Sequence, residues 1–284
     1  MSSANCPICA SYSEDAFVSK HDFNILKCQS VSCGHLFVEQ PDPAQGVMKK
    51  ESTLQEIIDL SRQAQETYRE RNERLIDFWT SRGFLNERTQ LLDVGSGVGH
   101  MVESLRKRYV SMEITCVEPS RPYQLHLEEC GFNVISEIDS VKGKFDSILL
   151  VEVIEHVPDP LDLLKKAKLR LNDKGRIFLT TPCGELPKKN RNTSAYDEES
   201  HIHFFSEKSL KSACQLASLK PIELEYIEAV YPKSPKPKGL RSKINYTVAK
   251  ILEEAGFMDS PSKIRLKRTE KEGFLHLTGF ISLP

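Results

Sequence analysis

A glycine-rich loop between an apolar strand and a helix is the feature that most constrains the fold of this chain. Residues 91–94 are apolar apart from Asp93 and predict a buried strand, and a helix is expected to begin near His100. Three glycines stand at every second position between them: Gly95, Gly97 and Gly99. Glycine lets the backbone turn sharply and approach a ligand closely, so the stretch predicts a nucleotide-binding loop at a strand end.

The spacing of the glycines favours one kind of nucleotide loop over another. Dinucleotide-binding folds use G-x-G-x-x-G, whereas this loop reads G-x-G-x-G with an acid two residues before the first glycine. This spacing disfavours a nicotinamide oxidoreductase. The next apolar segment, residues 114–117, ends in Glu118, where a carboxylate is expected to bind ribose hydroxyls. The alternative for Glu118 is a solvated acid at a strand end.

Strand and helix patterns alternate along the middle of the chain. Strands are predicted at 91–94, 114–117, 132–135, 144–151 and 175–182, and helices from 100, at 122–130 and at 161–171. A sixth strand at 221–228 and an antiparallel seventh at 274–282 follow. This order predicts an α/β fold, a doubly wound sheet with its ligand at the C-terminal strand edge.

Eight cysteines are present, and four of them come before residue 34 in two pairs: Cys6, Cys9, Cys28 and Cys33. Four thiolates in two knuckles predict a structural zinc site in a small ribbon, which could not fold on an apolar core of its own size. The second pair has four intervening residues, so His35 could replace Cys33 as the fourth ligand. A redox C-x-x-C pair and a catalytic zinc are less favoured, since four thiolates leave no open coordination position.

Charge and hydropathy exclude several classes of protein. The formal net charge is −1, which gives no overall field for binding nucleic acid. No apolar run approaches the roughly 20 residues of a membrane span, and Met1–Ala10 does not resemble a signal peptide. We therefore expect a soluble cytoplasmic protein whose zinc ribbon packs against its own chain. The sequence leaves the oligomeric state open.

The pattern also suggests domain boundaries. We expect the ribbon at 1–40, a linker and helical cover at 41–90, the α/β core at 91–230, an insertion at 231–271 and the last strand of the core at 272–284. Apolar residues recur at helical spacing from about 52 to 82, in one long helix or two short ones. The insertion carries 11 Lys and Arg against 4 Asp and Glu, and a helix is predicted near 242–255. It is either a lid that attracts an anionic acceptor or a solvated basic segment.

These motifs together resemble the class I S-adenosylmethionine (SAM) methyltransferases, in particular the ubiquinone-biosynthesis-like and sugar methyltransferase-like group with an N-terminal zinc ribbon. The resemblance rests on the loop, on the block 145–160 and on the pairing of 175–182 with His201–Ser206, and it extends from Cys6 to Glu225. It implies a seven-stranded Rossmann-like sheet. It also implies that SAM contacts Asp93, Gly95, Ser96, Gly97, Gly99, Glu118, Pro119, Ile138 or Asp139, and Glu152.

Chemistry at the acceptor is assigned to the turn after the fourth strand. Related sugar methyltransferases use a Glu-His pair at this position, here Glu155 and His156, which makes His156 the candidate base. The alternative is a histidine that only fixes the turn. His201 and His203 follow the fifth strand and could contact the acceptor, although at least one is expected to be packed or at the surface. Tyr196 and Glu199 are weaker candidates for the same role.

The function predicted from the sequence is SAM-dependent methyl transfer to a small-molecule or glycan-like acceptor, most readily at oxygen. C-methylation of a keto-sugar is the alternative within this class. A different class of function is a zinc-ribbon interaction protein that binds SAM without turnover. The two nucleotide-binding acids and the glycine loop favour the enzyme.

Overall fold

The computed structural model describes residues 4–19, 21–39, 54–184, 200–228 and 275–284. Strands β1 to β4 are Ala4–Asn5, Tyr12–Val18, Asn24–Cys28 and Leu36–Val38, and helix α1 is Leu54–Ser81. The central part contains β5 Gln90–Val94, α2 His100–Arg108, β6 Glu113–Val117, α3 Arg121–Glu129, β7 Asn133–Ile135, β8 Phe145–Val151, α4 Pro160–Leu169 and β9 Leu171–Pro182. The last elements are β10 His203–Phe204, α5 Glu207–Leu216, β11 Lys220–Glu228 and β12 Leu275–Ser282.

A seven-stranded sheet with the order β11-β12-β9-β8-β5-β6-β7 forms the centre of the molecule. Strands β7, β6, β5, β8 and β9 are parallel, and β12 runs antiparallel between β9 and β11. The predicted α/β class and the antiparallel last strand are therefore confirmed. Because β5, β6 and β8 are parallel neighbours, the segments that follow them meet at one sheet edge.

The central strands are continuous apolar runs because both of their faces are covered. Leu91 and Leu92 of β5, and Ile148, Leu149 and Leu150 of β8, are fully buried. Parallel strands covered by helices on both faces have this composition, which is why the sequence predicted them well.

Helix α1 is one continuous helix, which resolves the alternative left open by the sequence. Its C-terminal half packs on the sheet through Leu75, Ile76 and Trp79, and the Trp79 ring stacks on Phe178 of β9 with centroids 5.1 Å apart. Just beyond the helix, Arg82 donates two hydrogen bonds to Glu223 of β11. The helix thus extends from the sheet core toward the glycine loop.

The N-terminal strands belong to a second sheet that is completed by a distant segment. Its order is β1-β2-β3-β4-β10, and β10 comes from residues beyond β9. In the register of β4 and β10, His203 pairs with Phe37 and Phe204 with Leu36. The sequence analysis did not anticipate this pairing, which attaches the N-terminal unit to the α/β core.

None of the helices in the described part of the chain is long and apolar enough to cross a membrane. Several sequence predictions lie outside the described residues. They are the linker at 41–46, Tyr196, Glu199 and the insertion at 231–271 with its helix at 242–255.

Candidate functional site

The glycine loop turns tightly between β5 and α2, and its glycines have different surroundings. All three have positive φ angles: +76° at Gly95, +53° at Gly97 and +84° at Gly99. A Cβ on Gly95 would lie 2.7 Å from Val153 Cγ2, whereas a Cβ on Gly97 would meet no atom within 4 Å. Gly95 therefore packs against the protein, and Gly97 faces open space beside the loop. This is the position at which a bound nucleotide could approach the backbone.

Glu118 ties the glycine loop to the end of β6. Gly97 N donates to its Oε2 at 2.8 Å, and Ser120 N donates to its Oε1 at 2.9 Å. Gln124, which sequence reasoning did not single out, donates to the backbone oxygen of Glu118 at 2.7 Å. Burial raises the pKa of the carboxyl, although the two backbone donors oppose this shift. The Glu118 side chain is thus fixed, and each of its oxygens can accept a further bond from a ligand hydroxyl.

Asp93 lies at the C-terminal edge of β5 and is 3% exposed. Burial raises the pKa of its carboxyl to about 7, a hydrogen bond from Ser96 opposes the shift, and the charge of Glu118 adds to it. The Ser96 hydroxyl also donates to the backbone oxygen of Asp93 at 3.1 Å. Two buried acids therefore lie at neighbouring strand ends, an arrangement that suits a ligand with a cationic group and hydroxyls.

The turn after β8 begins with a strained residue. Glu152 has φ +57°, and its Oε1 accepts a hydrogen bond of 2.6 Å from Thr180 Oγ1 of β9. A positive φ is uncommon for a residue with a Cβ, and such strain concentrates at functional sites. The next residue is Val153, which packs on Gly95, so this turn lies against the glycine loop.

Glu155, His156 and His201 come together at the same turn. The Glu155 backbone oxygen accepts bonds from Ile202 N at 3.0 Å and His203 N at 3.1 Å, which brings the segment before β10 onto the turn. The rings of His156 and His201 then lie with their centroids 4.7 Å apart. His156 Nε2 is 4.0 Å from Glu155 Oε1, and its Nδ1 is 3.1 Å from the Ser200 oxygen. The three candidate acceptor-side residues thus form one cluster.

Glu155 is the acid of this cluster, and it is almost completely buried, with 1% exposure. Burial and the nearby charge of Glu152 raise the pKa of its carboxyl well above the usual range. Neither of its side-chain oxygens has a hydrogen-bond partner within the described residues. A buried carboxyl in this state normally has a proton, a cation or a ligand as its partner.

The structure separates the two histidines that the sequence treated together. His201 is half-buried next to His156, whereas His203 is buried, and its Nδ1 lies 3.2 Å from His35 Nε2. Burial lowers the pKa of His203 to about 4, although the nearby backbone of Pro158 and Val157 opposes this shift. His203 therefore belongs to the contact between the two sheets, and only His201 faces the candidate site.

The four N-terminal cysteines converge at the end of the second sheet. Cys6 Sγ and Cys33 Sγ are 3.9 Å apart, Cys9 Sγ and Cys28 Sγ are 3.4 Å apart, and all four sulfurs lie within 4.8 Å of one another. A tetrahedral zinc with Zn–S bonds of about 2.3 Å has S···S edges of about 3.8 Å. The cluster therefore fits a single tetrahedral zinc ion.

His35 lies beside this cysteine cluster with its ring turned away from it. It is fully buried, its Nε2 faces His203, and its ring packs on Phe37 and Phe205 at centroid distances of 6.0 Å and 4.7 Å. In this arrangement Cys33, and not His35, lies with the other three sulfurs. This arrangement favours Cys33 over His35 as the fourth ligand of the predicted zinc ion, an assignment that stays a prediction.

The remaining predicted cofactor contacts are near the end of β7 and the start of α3. Ile138 is buried in a short 3-10 helix, and the Asp139 carboxylate is 2.7 Å from Lys166 Nζ of α4. The Pro119 backbone oxygen accepts a bond of 3.3 Å from Gln124. Asp139 thus has a structural partner, while Ile138 and Pro119 stay predictions as cofactor contacts.

Helix α1 contributes residues that the sequence did not assign to the site. The Tyr68 ring stacks on His100, the first residue of α2, with centroids 5.3 Å apart. Burial and the charge of Arg71 lower the pKa of His100 to about 4. Arg71 also acts on the pKa of Glu155. Helical spacing identified Tyr68 only as a packing residue, because periodicity does not show which distant loop a helix covers.

Comparison with known proteins supports the family. A family model described as a methyltransferase domain matches residues 61–224 of the 284. The ubiquinone biosynthesis O-methyltransferase of Xanthomonas euvesicatoria pv. vesicatoria (strain 85-10) is 30% identical over 103 residues, which are 32% of this chain and 42% of that protein. The enzyme of the same name from Actinobacillus pleuropneumoniae serotype 7 (strain AP76) is 30% identical over 106 residues, 32% and 45% of the two chains. The match thus spans less than half the length of these relatives.

Solved structures share the fold. The chain superposes on coclaurine N-methyltransferase bound to N-methylheliamine and S-adenosylhomocysteine (SAH) with a TM-score of 0.51 and 17% identity, covering 75% of this chain and 71% of that one. It superposes on the [4+2]-cyclase SpnF with a TM-score of 0.51 and 12% identity, covering 74% of this chain and 80% of that one. At these identities the likeness concerns the fold alone.

Because the family model covers more than half of the chain and agrees with the strand order and the loop, we conclude that this protein belongs to the methyltransferase-domain family, in line with the enzyme class predicted from its sequence.

Proposed function

We propose that this protein transfers the methyl group of SAM to a hydroxyl oxygen of a small-molecule or glycan-like acceptor. The observation that carries the proposal is the position of Glu118, which accepts a bond from Gly97 N where the loop faces open space. On the other side of the loop, the turn with Glu155 and His156 packs through Val153 on Gly95. A cofactor held at the loop would therefore have the acceptor-side cluster next to it.

The residues present fit SAM. Glu118 would accept hydrogen bonds from the ribose hydroxyls, and the buried Asp93 carboxylate would hold the amino-acid end. When bound, SAM supplies an electrophilic methyl group on a sulfonium, and that chemistry belongs to the cofactor. The chain's own tasks are to fix both reactants in line and to exclude water.

His156 is oriented for work at the acceptor. Its Nδ1 lies 3.1 Å from the Ser200 carbonyl oxygen, which can only accept, so Nδ1 carries the hydrogen in the neutral ring. Nε2 then presents a lone pair on the side of Glu155. Glu155 and His201 complete the polar wall of this part of the site, and we assign them to acceptor binding and activation, whereas Glu152 remains assigned to the cofactor. This wall suits a polar hydroxyl acceptor better than an apolar one.

We also propose that Cys6, Cys9, Cys28 and Cys33 hold a structural zinc ion. The mutual distances of their sulfurs support this, and so does the small size of the unit. Four thiolates leave no coordination position for a substrate, so the ion serves the fold and not the reaction.

Calorimetry with SAH tests the cofactor site. We expect saturable binding to the wild type and at least about a tenfold weaker affinity for Glu118→Gln, because the amide cannot accept from both backbone donors and the ribose. Glu113→Gln is the matched control, since Glu113 lies at the opposite end of β6 and is exposed. A methyl-donor turnover screen against nucleotide sugars, glycan fragments and phenols then tests the acceptor class. Wild-type protein without affinity for SAH, or turnover only on acceptors that lack a hydroxyl, would overturn the proposal.

A further inference from the structure

The segment of residues 200–205, which we call the bridging segment, contacts both the N-terminal unit and the acceptor side of the candidate site. Its apolar residues Ile202 and Phe204 are buried in the core of the N-terminal unit. That core also contains Ile25, Leu36 and Val38. His201 of the same segment lies beside His156 instead, with ring centroids 4.7 Å apart. The segment therefore joins the core of one unit to the candidate site of the other.

Backbone hydrogen bonds hold the start of the bridging segment from two sides. Val38 N donates to Ile202 O at 3.0 Å, and Ile202 N donates to Glu155 O at 3.0 Å. The far end of the segment is held by the α/β core alone, where Gly184 N donates to Phe205 O at 2.8 Å. The start of the segment is thus held between β4 and the turn after β8.

A buried pair of histidines adds a side-chain contact to this backbone pairing. His35 Nε2 of the N-terminal unit lies 3.2 Å from His203 Nδ1 of the bridging segment. Burial lowers the pKa of His203, and the nearby backbone of Pro158 and Val157 opposes this shift. The His203 ring therefore lies between His35 and the residues that directly follow His156.

The position of Ser200 decides which ring nitrogen of His156 carries the hydrogen. Ser200 O can only accept, and it lies 3.1 Å from His156 Nδ1, so Nδ1 carries the hydrogen in the neutral ring. Without this carbonyl either nitrogen can carry it, because the bond that one ring nitrogen makes sets the state of the other. The lone pair that a base needs at Nε2 thus depends on where the bridging segment lies.

We infer that the N-terminal unit positions the acceptor side of the site through the bridging segment. The positioning residues are His35 and Val38. Through the segment they hold Ser200 O at His156 Nδ1 and the His201 ring beside it. This inference deepens the proposed function and rests on it, since it concerns the candidate base. The glycine loop is held by other residues, so cofactor affinity should depend little on this contact.

Nitrogen-15 NMR of the histidine rings tests the inference in full-length protein prepared with zinc, with the His156 signals assigned by their absence in His156→Gln. We expect Nδ1–H in the wild type. In His35→Ala we expect a shift toward Nε2–H, and hydrogen exchange at the Ile202 amide that is at least about tenfold faster. His35→Gln places an amide where the imidazole Nε2 was and should restore both signals. His21→Ala, which removes a partly exposed histidine elsewhere in the N-terminal unit, is the matched control and should behave as the wild type does.

Val38→Ala provides a second variant if His35→Ala does not fold. Val38 is 3% exposed and shares a core with Ile202, so its truncation loosens the same contact. Folded protein is recognised by the slow exchange of the β5 amides. Folded variants that keep the Nδ1–H form of His156 and a protected Ile202 amide would overturn the inference. An equal change in His21→Ala would overturn it as well, because the effect would then be general destabilisation.

Calorimetry with SAH on the same variants separates this inference from the proposed function. We expect the affinities of His35→Ala and Val38→Ala to stay within about threefold of the wild-type value. If both variants lose SAH binding together with the His156 signal, then the N-terminal unit supports the whole site, and its specific role on the acceptor side is wrong. A wild type that does not bind SAH, but in which His35→Ala still changes His156, would contradict the proposed function and leave the positioning contact standing.

Discussion

His35 Nε2 lies 3.2 Å from His203 Nδ1, and both rings are buried between the two sheets. His35 precedes β4 and His203 begins β10, so the contact joins residues 168 positions apart. It lies where β10 pairs with β4 as the last strand of the second sheet. His203 is followed by Phe204 and Phe205, which pack into the cores on the two sides. The cysteine-containing unit is thus part of the same packed structure as the segment that carries His201.

Replacing His203 with alanine should therefore weaken the whole fold. The change leaves a cavity and removes the partner of a fully buried imidazole nitrogen, so we expect a loss of about 2–4 kcal/mol in the free energy of unfolding. Urea denaturation measures it. His126→Ala, on the partly exposed surface of α3, is the control and should cost less than about 1 kcal/mol. If both variants lose the same free energy of unfolding, then the contact between His35 and His203 does not contribute to stability.

Removal of the proposed zinc ion should also destabilise the whole protein, because the cysteine-containing unit is part of the same packed structure. We expect one zinc ion per chain by elemental analysis, and none in Cys9→Ser, because a structural site needs all four ligands. The melting temperature of the metal-free protein should fall by at least about 5 °C. Cys130→Ser, which removes a partly exposed cysteine outside the cluster, should keep the metal. A metal-free wild type with an unchanged melting temperature would contradict the assignment.

Much of the fold could be predicted because its signals are local. β5 and β8 are continuous apolar runs, and Ser206 precedes the periodic segment of α5, where its side chain does cap the helix by accepting from Ser209 N. The spacing of its glycines identifies the loop in the sequence, and all three glycines have positive φ angles in the structure.

The rest of the site could not be predicted because it depends on contacts between distant segments. The two residues of β10 have no strand pattern, and they are strand residues only because β4 lies beside them. Alternation gave no way to separate His201 from His203, since His201 precedes the strand and faces another element. The adjacency of Glu155 and His156 was visible in the sequence, but the burial of Glu155 without a hydrogen bond was not.

Gly95 and Gly97 of the glycine loop should respond differently to replacement by alanine. Both have positive φ, which costs roughly 1–2 kcal/mol with a side chain. Gly95→Ala also places a Cβ 2.7 Å from Val153 Cγ2, so the free energy of unfolding should fall by a further 1–3 kcal/mol or so. Gly97→Ala meets no protein atom, and its methyl group instead occupies the space beside Glu118. We expect it to weaken SAH binding by about tenfold or more.

Urea denaturation and calorimetry on both glycine variants check this difference. The prediction is that Gly97→Ala loses mainly affinity and Gly95→Ala mainly stability. If Gly97→Ala binds SAH as tightly as the wild type does, then the open space beside Gly97 is not the cofactor site.

The pKa of Asp93 predicts how stability and cofactor binding change with pH. Burial raises this pKa from an ordinary 3.8 to about 7, so between these values the folded protein holds a proton that the unfolded chain has released. The contribution of Asp93 to stability is therefore largest at low pH and is lost as pH rises through 7. Asparagine does not titrate. Between about pH 5 and about pH 8, the unfolding free energy of Asp93→Asn relative to the wild type should rise by about 2 kcal/mol.

The affinity of the wild type for SAH should rise with pH, whereas the contribution of Asp93 to stability falls. The cofactor's amino group is cationic and binds the ionised carboxylate better, so the affinity of the wild type should increase as pH rises through 7. In Asp93→Asn the affinity should be lower and should not show this rise. The exposed Asp173, replaced with asparagine, is the control and should keep the pH profile of the wild type in both measurements. A wild-type affinity that is flat across this range would mean that the buried acid at the end of β5 does not hold the charged end of the cofactor.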